Sequence, residues 1–444
     1  MKEQTQPSRR DFLKTSGVVA AGLGAASGLG IARSAHAQGS DTIKVAVIGC
    51  GGRGRGAAQD RLDAGDNVKI VAVADVFERQ AKGAAGFLNG LNDEGKYKGK
   101  IAIKDDAVFS GFDAYKHAID ADIDQVIIAT PPGFRPVHYA YAVEKGKHVF
   151  MEKPLATDSA GYRSLLESNK IADEKNLKVV VGLQRRHGVD YKAWVERIHK
   201  GDIGDLVYTR VYWNGGDIWY RRRGQEQSEM EFQVDNWYHF VWLCGDNICE
   251  QHIHNLDVGN WIHSKGDVFA HPIRANGMGG LQVRDKNPDK SGEIYDHHAV
   301  EFEYADGSRM ISQCRQIPGT WSSVSEHVHG TKGFGSSCWL NIEGQRWNAP
   351  GSPNHFKIEH VNHYKAIRDN IRTNDAHYGA ISTMISILGR LATYSGNIVE
   401  WDKAVADGFS QFPYGKALAW DSEPPVLPKD GKYAVAFPGV FKAY

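Results

Sequence analysis

The 444-residue sequence has no excess of either charge, 53 basic against 53 acidic side chains. It therefore carries no general basic field for nucleic acid. No charge-poor apolar run long enough to span a bilayer occurs in the body of the chain, which argues against membrane-spanning helices there. Cysteine is scarce: Cys50, Cys244, Cys249, Cys314 and Cys338 are odd in number, widely spread and free of any C-x-x-C pair. This argues for small buried hydrophobes, with one disulfide open in an oxidising compartment, and against a cysteine metal site. H-E-x-x-H is also missing, so the histidine pairs such as His297-His298 predict no catalytic metal. Internal repeats and low-complexity segments are absent beyond the N-terminus. What is abundant is glycine, 49 residues, and tryptophan, 11 residues, in a chain that is 41% hydrophobic. That is a soluble globular composition, and its length predicts two domains.

Residues 1–37 read as a targeting segment. Ser8-Arg9-Arg10-Asp11-Phe12-Leu13-Lys14 is a twin-arginine pattern, Thr15 to Ile31 is weakly apolar and Gly/Ala-rich, and Ala35-His36-Ala37 is a small-x-small cleavage site. Removing the segment takes away five basic and two acidic residues and leaves 48 against 51, a weakly acidic protein in the periplasm. The twin-arginine route carries proteins that have already folded, often around a cofactor, so a cofactor loaded before export is expected.

The first domain, 42–165, reads as a doubly wound α/β unit. Ile43 to Ile48 is a β-branched strand, followed by Gly49-Cys50-Gly51-Gly52-Arg53-Gly54 and an Ala-rich helix. In this strand-turn-helix context, G-x-G-x-x-G is a dinucleotide fingerprint. Gly49 serves the tight turn, Gly51 the approach of the pyrophosphate, and Gly54 the close packing of helix on strand. Gly52 and Arg53 lie in the same turn. A second strand, Val68 to Ala74, ends in Asp75, 21 residues beyond Gly54, where a carboxylate accepts hydrogen bonds from an adenosine ribose. Asp75 favours NAD over NADP by repelling a 2′-phosphate, although Arg79 nearby is able to receive one. Further strands, Gln125 to Thr130 and His148 to Met151, run into Pro131-Pro132 and Glu152-Lys153-Pro154. Strand ends of this kind are where open α/β sheets place ligands.

These residues resemble the family of glucose-fructose oxidoreductase, inositol dehydrogenase and the rhizopine-catabolism proteins, Gfo/Idh/MocA. The matching residues are Gly49 to Gly54, Asp75, Ala129-Thr130-Pro131 with His138 after it, and above all Glu152-Lys153-Pro154. Val181 to Arg186 and Gly330-Thr331-Lys332-Gly333 extend the match along nearly the whole mature chain. The resemblance implies that Lys153 lies beside the nicotinamide and the reacting carbon. Thr130, Pro131, His138 and Glu152 then join the glycines, Arg53 and Asp75 as cofactor-binding residues. The family's second motif, D-x-G-x-H-x-x-D, is met by Glu250 to Asp257, with His254 and Asp257 in place, Glu250 for the first Asp and His252 for the Gly. The longer carboxylate displaces its oxygens by ~1.5 Å, and His252 adds bulk.

The implied chemistry is oxidation of an alcohol, in which a base removes the hydroxyl proton while hydride leaves the same carbon. His254 is the candidate base, because an imidazole accepts and returns a proton near neutral pH. If the segment is helical, Glu250 at i−4 and Asp257 at i+3 share its face and either orients the ring. Lys153 polarises the oxygen or relays the proton.

The remainder, 166–444, reads as an α+β domain. Helical 158–174 precedes strands at Leu177 to Gly182, Leu206 to Trp213, Ala299 to Tyr304 and Met310 to Gln316, and helices follow at Ala366 to Asn374 and Ile381 to Tyr394. The resemblance implies an open, mostly antiparallel sheet whose free face makes a homo-oligomer. Trp219, Tyr220 and Trp237 lie in an aromatic and basic stretch whose rings suit the apolar faces of a sugar, and Arg186 is a polar partner for it, so a carbohydrate is the expected substrate. An exported NAD(P) enzyme has no free nicotinamide pool, so a tightly bound cofactor is expected. Two other functions use the same residues: a glycosidase or lyase working by transient oxidation and elimination, and a non-catalytic sugar-binding protein.

Overall fold

The computed structural model describes residues 41–284 and 292–444. The targeting segment, including the site after Ala37, lies outside the described residues. From Thr42 to Tyr444 the chain forms one compact unit, built on two sheets.

The first sheet has six parallel strands: β1 (Ile43–Ile48), β2 (Val68–Asp75), β3 (Val108–Ser110), β4 (Gln125–Ile128), β5 (His148–Met151) and β6 (Val179–Val181), in the order β3-β2-β1-β4-β5-β6. This is the doubly wound dinucleotide-binding order, with the chain reversal between β1 and β4. β4, β5 and β6 are buried on both faces, as parallel strands covered by helices must be. The sheet continues past residue 165. The Ser159–Glu174 helix, N-capped by Asp158, leads into β6, so the sheet ends at Val181.

The second sheet contains β7 (Leu206–Gly215), β8 (Arg274–Gly280), β9 (His297–Glu303), β10 (Arg309–Gln316), β11 (Ser323–Gly330), β12 (Gly333–Ser336), β13 (Trp339–Ile342), β14 (Gln345–Asn348) and β15 (Val399–Glu400). Its order is β14-β13-β12-β11-β7-β10-β9-β8-β15, antiparallel except where β10 runs beside β7. β9 and β10 alternate buried and exposed residues, the pattern of a sheet covered on one face. The hairpins β11 to β14 extend the sheet beyond the strands legible in the sequence.

The Ala376–Ser395 helix joins the two halves. It is buried on every side, packs against the Ser159–Glu174 helix and against β8 and β9, and ends at Gly396 in the left-handed region. Glycine permits the close approach, since a Cβ at Gly389 would lie 2.9 Å from both Ile248 and Phe302. The preceding helix is His355–Arg368, not Ala366 to Asn374. It stops at Asp369, and the chain turns through Asn370 (φ 52°) before Asn374 bridges to Val179. No helix of the described residues is long and apolar enough to cross a membrane.

Candidate active site

The glycine-rich turn joins β1 to the Gly52–Asp63 helix. Gly49 has φ +90°, and a Cβ there would lie 2.5 Å from the carbonyl carbon of Ala129 on the next strand. A Cβ at Gly54 would lie 1.8 Å from the Gly49 oxygen. Gly51 and Gly52, by contrast, face open space, with nothing within 4 Å of an added Cβ. No side chain caps the helix N-terminus. Its first N–H groups therefore face a cleared approach, the donor set that a pyrophosphate needs. The residues present fit a dinucleotide.

Asp75, at the end of β2, accepts from the backbone N–H of Cys50 (2.7 Å) and of Phe77 (2.9 Å). Burial raises its pKa, against those two hydrogen bonds. Arg79 does not wait as a phosphate receptor: it donates to Asp235 at 2.6 Å and lies 3.9 Å over the Phe77 ring. A cavity of about 330 Å³ runs along this groove, lined by Gly49, Gly51, Gly52, Arg53, Gly54, Asp75, Thr130, Pro131 and His138. His138 is buried, meets the Thr130 hydroxyl at 3.3 Å and stacks on Tyr115 at 4.2 Å. Burial lowers its pKa to about 3, so it is a neutral packing ring.

Arg53 ties the turn to the E-K-P motif. Its guanidinium donates to Glu152, lies 3.6 Å from Glu359 and stacks over Phe356 of the His355–Arg368 helix. Burial disfavours the Glu152 carboxylate, but Arg53, Lys153 and Arg135 outweigh it and hold the group below the usual carboxylate range. Lys153 follows, with the Lys153–Pro154 peptide bond cis. Its ammonium does not pair with Glu152. It reaches across to the second motif, donating to the Glu250 carbonyl and to Glu250 Oε1 at 2.9 Å, both side chains buried.

The second motif is not one helix. Asn247–Glu250 forms a short turn, the chain breaks at Gln251-His252, and Ile253–His263 begins afresh. The break takes Glu250 off the face expected to carry all three residues, while His254 and Asp257 remain three apart on one helix. Glu250 holds Lys153, while Asp257 accepts from Arg186 Nε (2.9 and 3.0 Å) and from the Ser382 hydroxyl (2.7 Å). Among the described residues neither carboxylate is hydrogen bonded to His254, whose Nδ1 is buried without a partner. The ring instead stacks on Trp213 of β7, centroids 5.9 Å apart. Burial, then the charges of Lys153, Arg185 and Arg53, push its pKa well below 6.5 and leave the imidazole neutral. His252 does not crowd the site. It is fully buried and bonded through Nε2 to Ser312 of β10 at 2.7 Å.

The candidates for substrate contact separate. Arg186 is paired with Asp257 and lies 4.2 Å over Tyr378, in the second motif's surroundings. Tyr220 packs edge-on against Phe232 and His239. Trp219 and Trp237 line the same cavity as Asp75 and the glycine-rich turn. Trp213, the first residue of the aromatic and basic stretch, is the ring that lies beside His254. Its signal was its place at the inner end of a strand, visible only once that strand and the second motif are brought together. The five cysteines are free, and among the described residues no group of three or more His, Cys, Asp or Glu side chains is arranged to hold a metal.

Fold and groove thus define an NAD-binding α/β enzyme with a second, mostly antiparallel domain. Residues 43–183 match the model of the oxidoreductase family with an NAD-binding Rossmann fold, Gfo/Idh/MocA, and residues 6–29 that of the twin-arginine translocation signal sequence. Inositol 2-dehydrogenase of Rhizobium meliloti is 24% identical over 66% of this chain and 74% of its own. A glycosyl hydrolase family 109 protein of Shewanella pealeana is 24% identical over 79% of this chain and 75% of its own. The fold is that of scyllo-inositol dehydrogenase from Lactobacillus casei, solved with NAD(H) and scyllo-inositol, with a TM-score of 0.59 at 20% identity over 81% of this chain and 99% of that one. Residues 43–183 thus carry the NAD-binding Rossmann domain of the Gfo/Idh/MocA oxidoreductases, behind a twin-arginine translocation signal sequence.

Proposed function

We propose that the chain is a periplasmic enzyme that oxidises a hydroxyl of a sugar or cyclitol and keeps its NAD bound through turnover. The observation that carries this reading is that Lys153, next to the Glu152 held by Arg53 of the glycine-rich turn, pairs with Glu250 and sets its charge close enough to His254 to depress that ring's pKa. His254 takes the hydroxyl proton, and the Lys153 ammonium, fixed by Glu250, orients and polarises the oxygen. The bound NAD supplies the hydride acceptor. Trp213 offers a flat apolar face at the same place, suited to the C–H face of a six-membered ring. Polyol-type substrates agree with the names of the relatives. Signal cleavage after Ala37 delivers the mature chain. The exposed face of the second sheet, with Val207, Ile311, Val324 and Phe334 on the surface, serves a homo-oligomer.

A second reading is supported by the family 109 relative. Transient oxidation of a ring hydroxyl acidifies the neighbouring C–H, the glycosidic bond is eliminated, water adds and the ketone is reduced again, with no net redox partner. The two readings part on one experiment with protein purified from the periplasm. NADH accumulation with free sugars or inositols supports oxidation. Release of p-nitrophenol from aryl glycosides without net NADH supports the second. Lys153→Ala and His254→Ala proteins that match the parent in both assays would remove the catalytic assignment.

A further inference from the structure

The groove has an outer wall that does not come from the nucleotide-binding domain. Residues 216–243, after β7, and residues 409–433, near the C-terminus, pack over the carboxyl ends of β2 and β3. Phe77 and Phe134 of the first domain share one apolar cluster with Phe232, Trp242 and Phe412. The attachment is close: Asp158 accepts from the backbone N–H of Gln411 (2.6 Å) and Phe412 (2.9 Å), and a Cβ at Gly133 would lie 2.3 Å from the Trp242 oxygen.

Trp219, Arg221, Asp235 and Trp237 reach from this layer into the cavity that holds Asp75 and the glycine-rich turn. They are braced where the domains meet. Arg79 and Arg221 both pair with Asp235, at 2.6 and 3.5 Å, and Arg221 lies 4.6 Å over Trp219. Trp420 stacks on Phe77 (centroids 5.0 Å apart, 29° between planes) and lies 4.8 Å from Phe112. An open sheet binds its ligand in a crevice at the strand ends. Here, two indoles and a guanidinium close that crevice at its Asp75 end, with faces that stack on a purine and a charge that meets a phosphate.

We infer that Trp219, Arg221, Asp235 and Trp237 are cofactor-binding residues, and that the Arg79–Asp235 and Phe77–Trp420 contacts latch this wall over the adenosine half of NAD so that the cofactor does not exchange between turnovers. The inference rests on the reading of the chain as an NAD-retaining exported enzyme, and gives that retention a structural cause.

The test uses the exported protein, purified with its own NAD and mixed with excess isotope-labelled NAD, with exchange followed by mass spectrometry of the released nucleotide. The parent is expected to keep most of its NAD over many turnover times. The double variant Asp235→Asn/Trp420→Ala, and separately Trp219→Ala, are expected to exchange ~10-fold faster or more, the consequence of losing stacking on one ring face. Should the double variant not fold, Asp235→Asn alone, a change at a partly exposed ion pair, carries the comparison with Trp219→Ala. Exchange as slow in the folded variants as in the parent overturns the inference, and so does a parent that exchanges within one turnover. Lys153→Ala separates this inference from the catalytic reading: slow exchange with lost turnover supports both. Slow exchange with undiminished turnover leaves the wall standing while the assignment of Lys153 falls.

Discussion

The turn Gly49–Gly54 and the segment Glu250–Asp257 are both short motifs, yet they work in opposite ways. The turn works through backbone: Gly54 is fixed by the Gly49 oxygen inside the turn, and Gly49 by the main chain of Ala129. Gly49 and Gly54 are required because their Cβ positions are filled by neighbouring atoms, and Gly51 and Gly52 because theirs must stay empty. The second motif is taken apart by the fold: a break at Gln251-His252 turns Glu250 to Lys153, and on the helix that follows Asp257 is bound by Arg186 and Ser382 while His254 lies on Trp213. A motif that recognises by backbone geometry is local. One that catalyses by side-chain charge takes its partners from distant strands and helices.

The comparison breaks most severely at Gly54. With Gly49 oxygen 1.8 Å from the new Cβ, Gly54→Val is expected to lose folded, NAD-loaded protein altogether, whereas Gly51→Ala folds, loses nucleotide affinity and melts at the temperature of the NAD-free parent. Equal melting temperatures for the two would contradict the division. Lys153→Met comes next. Turnover should drop by about 10²–10⁴-fold, and because Glu250 is left charged and buried, stability should fall by about 3–5 kcal/mol. Adding Glu250→Gln should recover stability in urea titrations without recovering turnover. If stability stays low in the double variant, the ion pair is not what holds the two motifs together.

Acid provides a third and gentler test, on the packing around both motifs. Burial depresses the pKa of His138, His252 and His263 to about 3 and that of His254 well below 6.5. The folded state keeps these rings neutral, while the unfolded chain protonates them near pH ~6.5. Their contribution is thus fully present above that pH and is lost as pH falls below it, by up to ~1.4 kcal/mol per pH unit for each ring. The urea midpoint should decline from pH 7 to pH 5, and a flat profile would count against neutral buried rings. The smallest effect is expected at Asp235. Asp235→Asn frees Arg79 beside Asp75, and should raise NADP affinity relative to NAD by about 2–10-fold in competition binding, as one partly exposed charge allows.

Much of the fold was legible. β1, β2, β4 and β5 follow apolar runs, β-branched in the first three, that end in the glycine turn, Asp75, Pro131 and Glu152, because mostly buried parallel strands leave a local hydrophobic signature. The hairpins β12 to β14 were not, since Gly333–Ser336 and Gln345–Asn348 carry little hydrophobic alternation and are held by pairing with their neighbours. The helix expected at Ala366 to Asn374 was misplaced because two of its apolar residues, Ala366 and Ile367, belong to the last turn of a helix starting at His355, and the third, Ile371, is exposed beyond that helix's end.

The sequence by itself determined the nucleotide-binding turn, the Asp75 carboxylate at the next strand end and the export signal, all of which depend on neighbours along the chain. Tertiary structure alone decided that Lys153 meets Glu250, that His252 turns to Ser312, that His254 is a neutral ring on Trp213, and that Trp219 and Trp237 face the dinucleotide groove. Each of these follows from burial and from charges brought together across tens or hundreds of residues, and neither quantity is a property of local sequence.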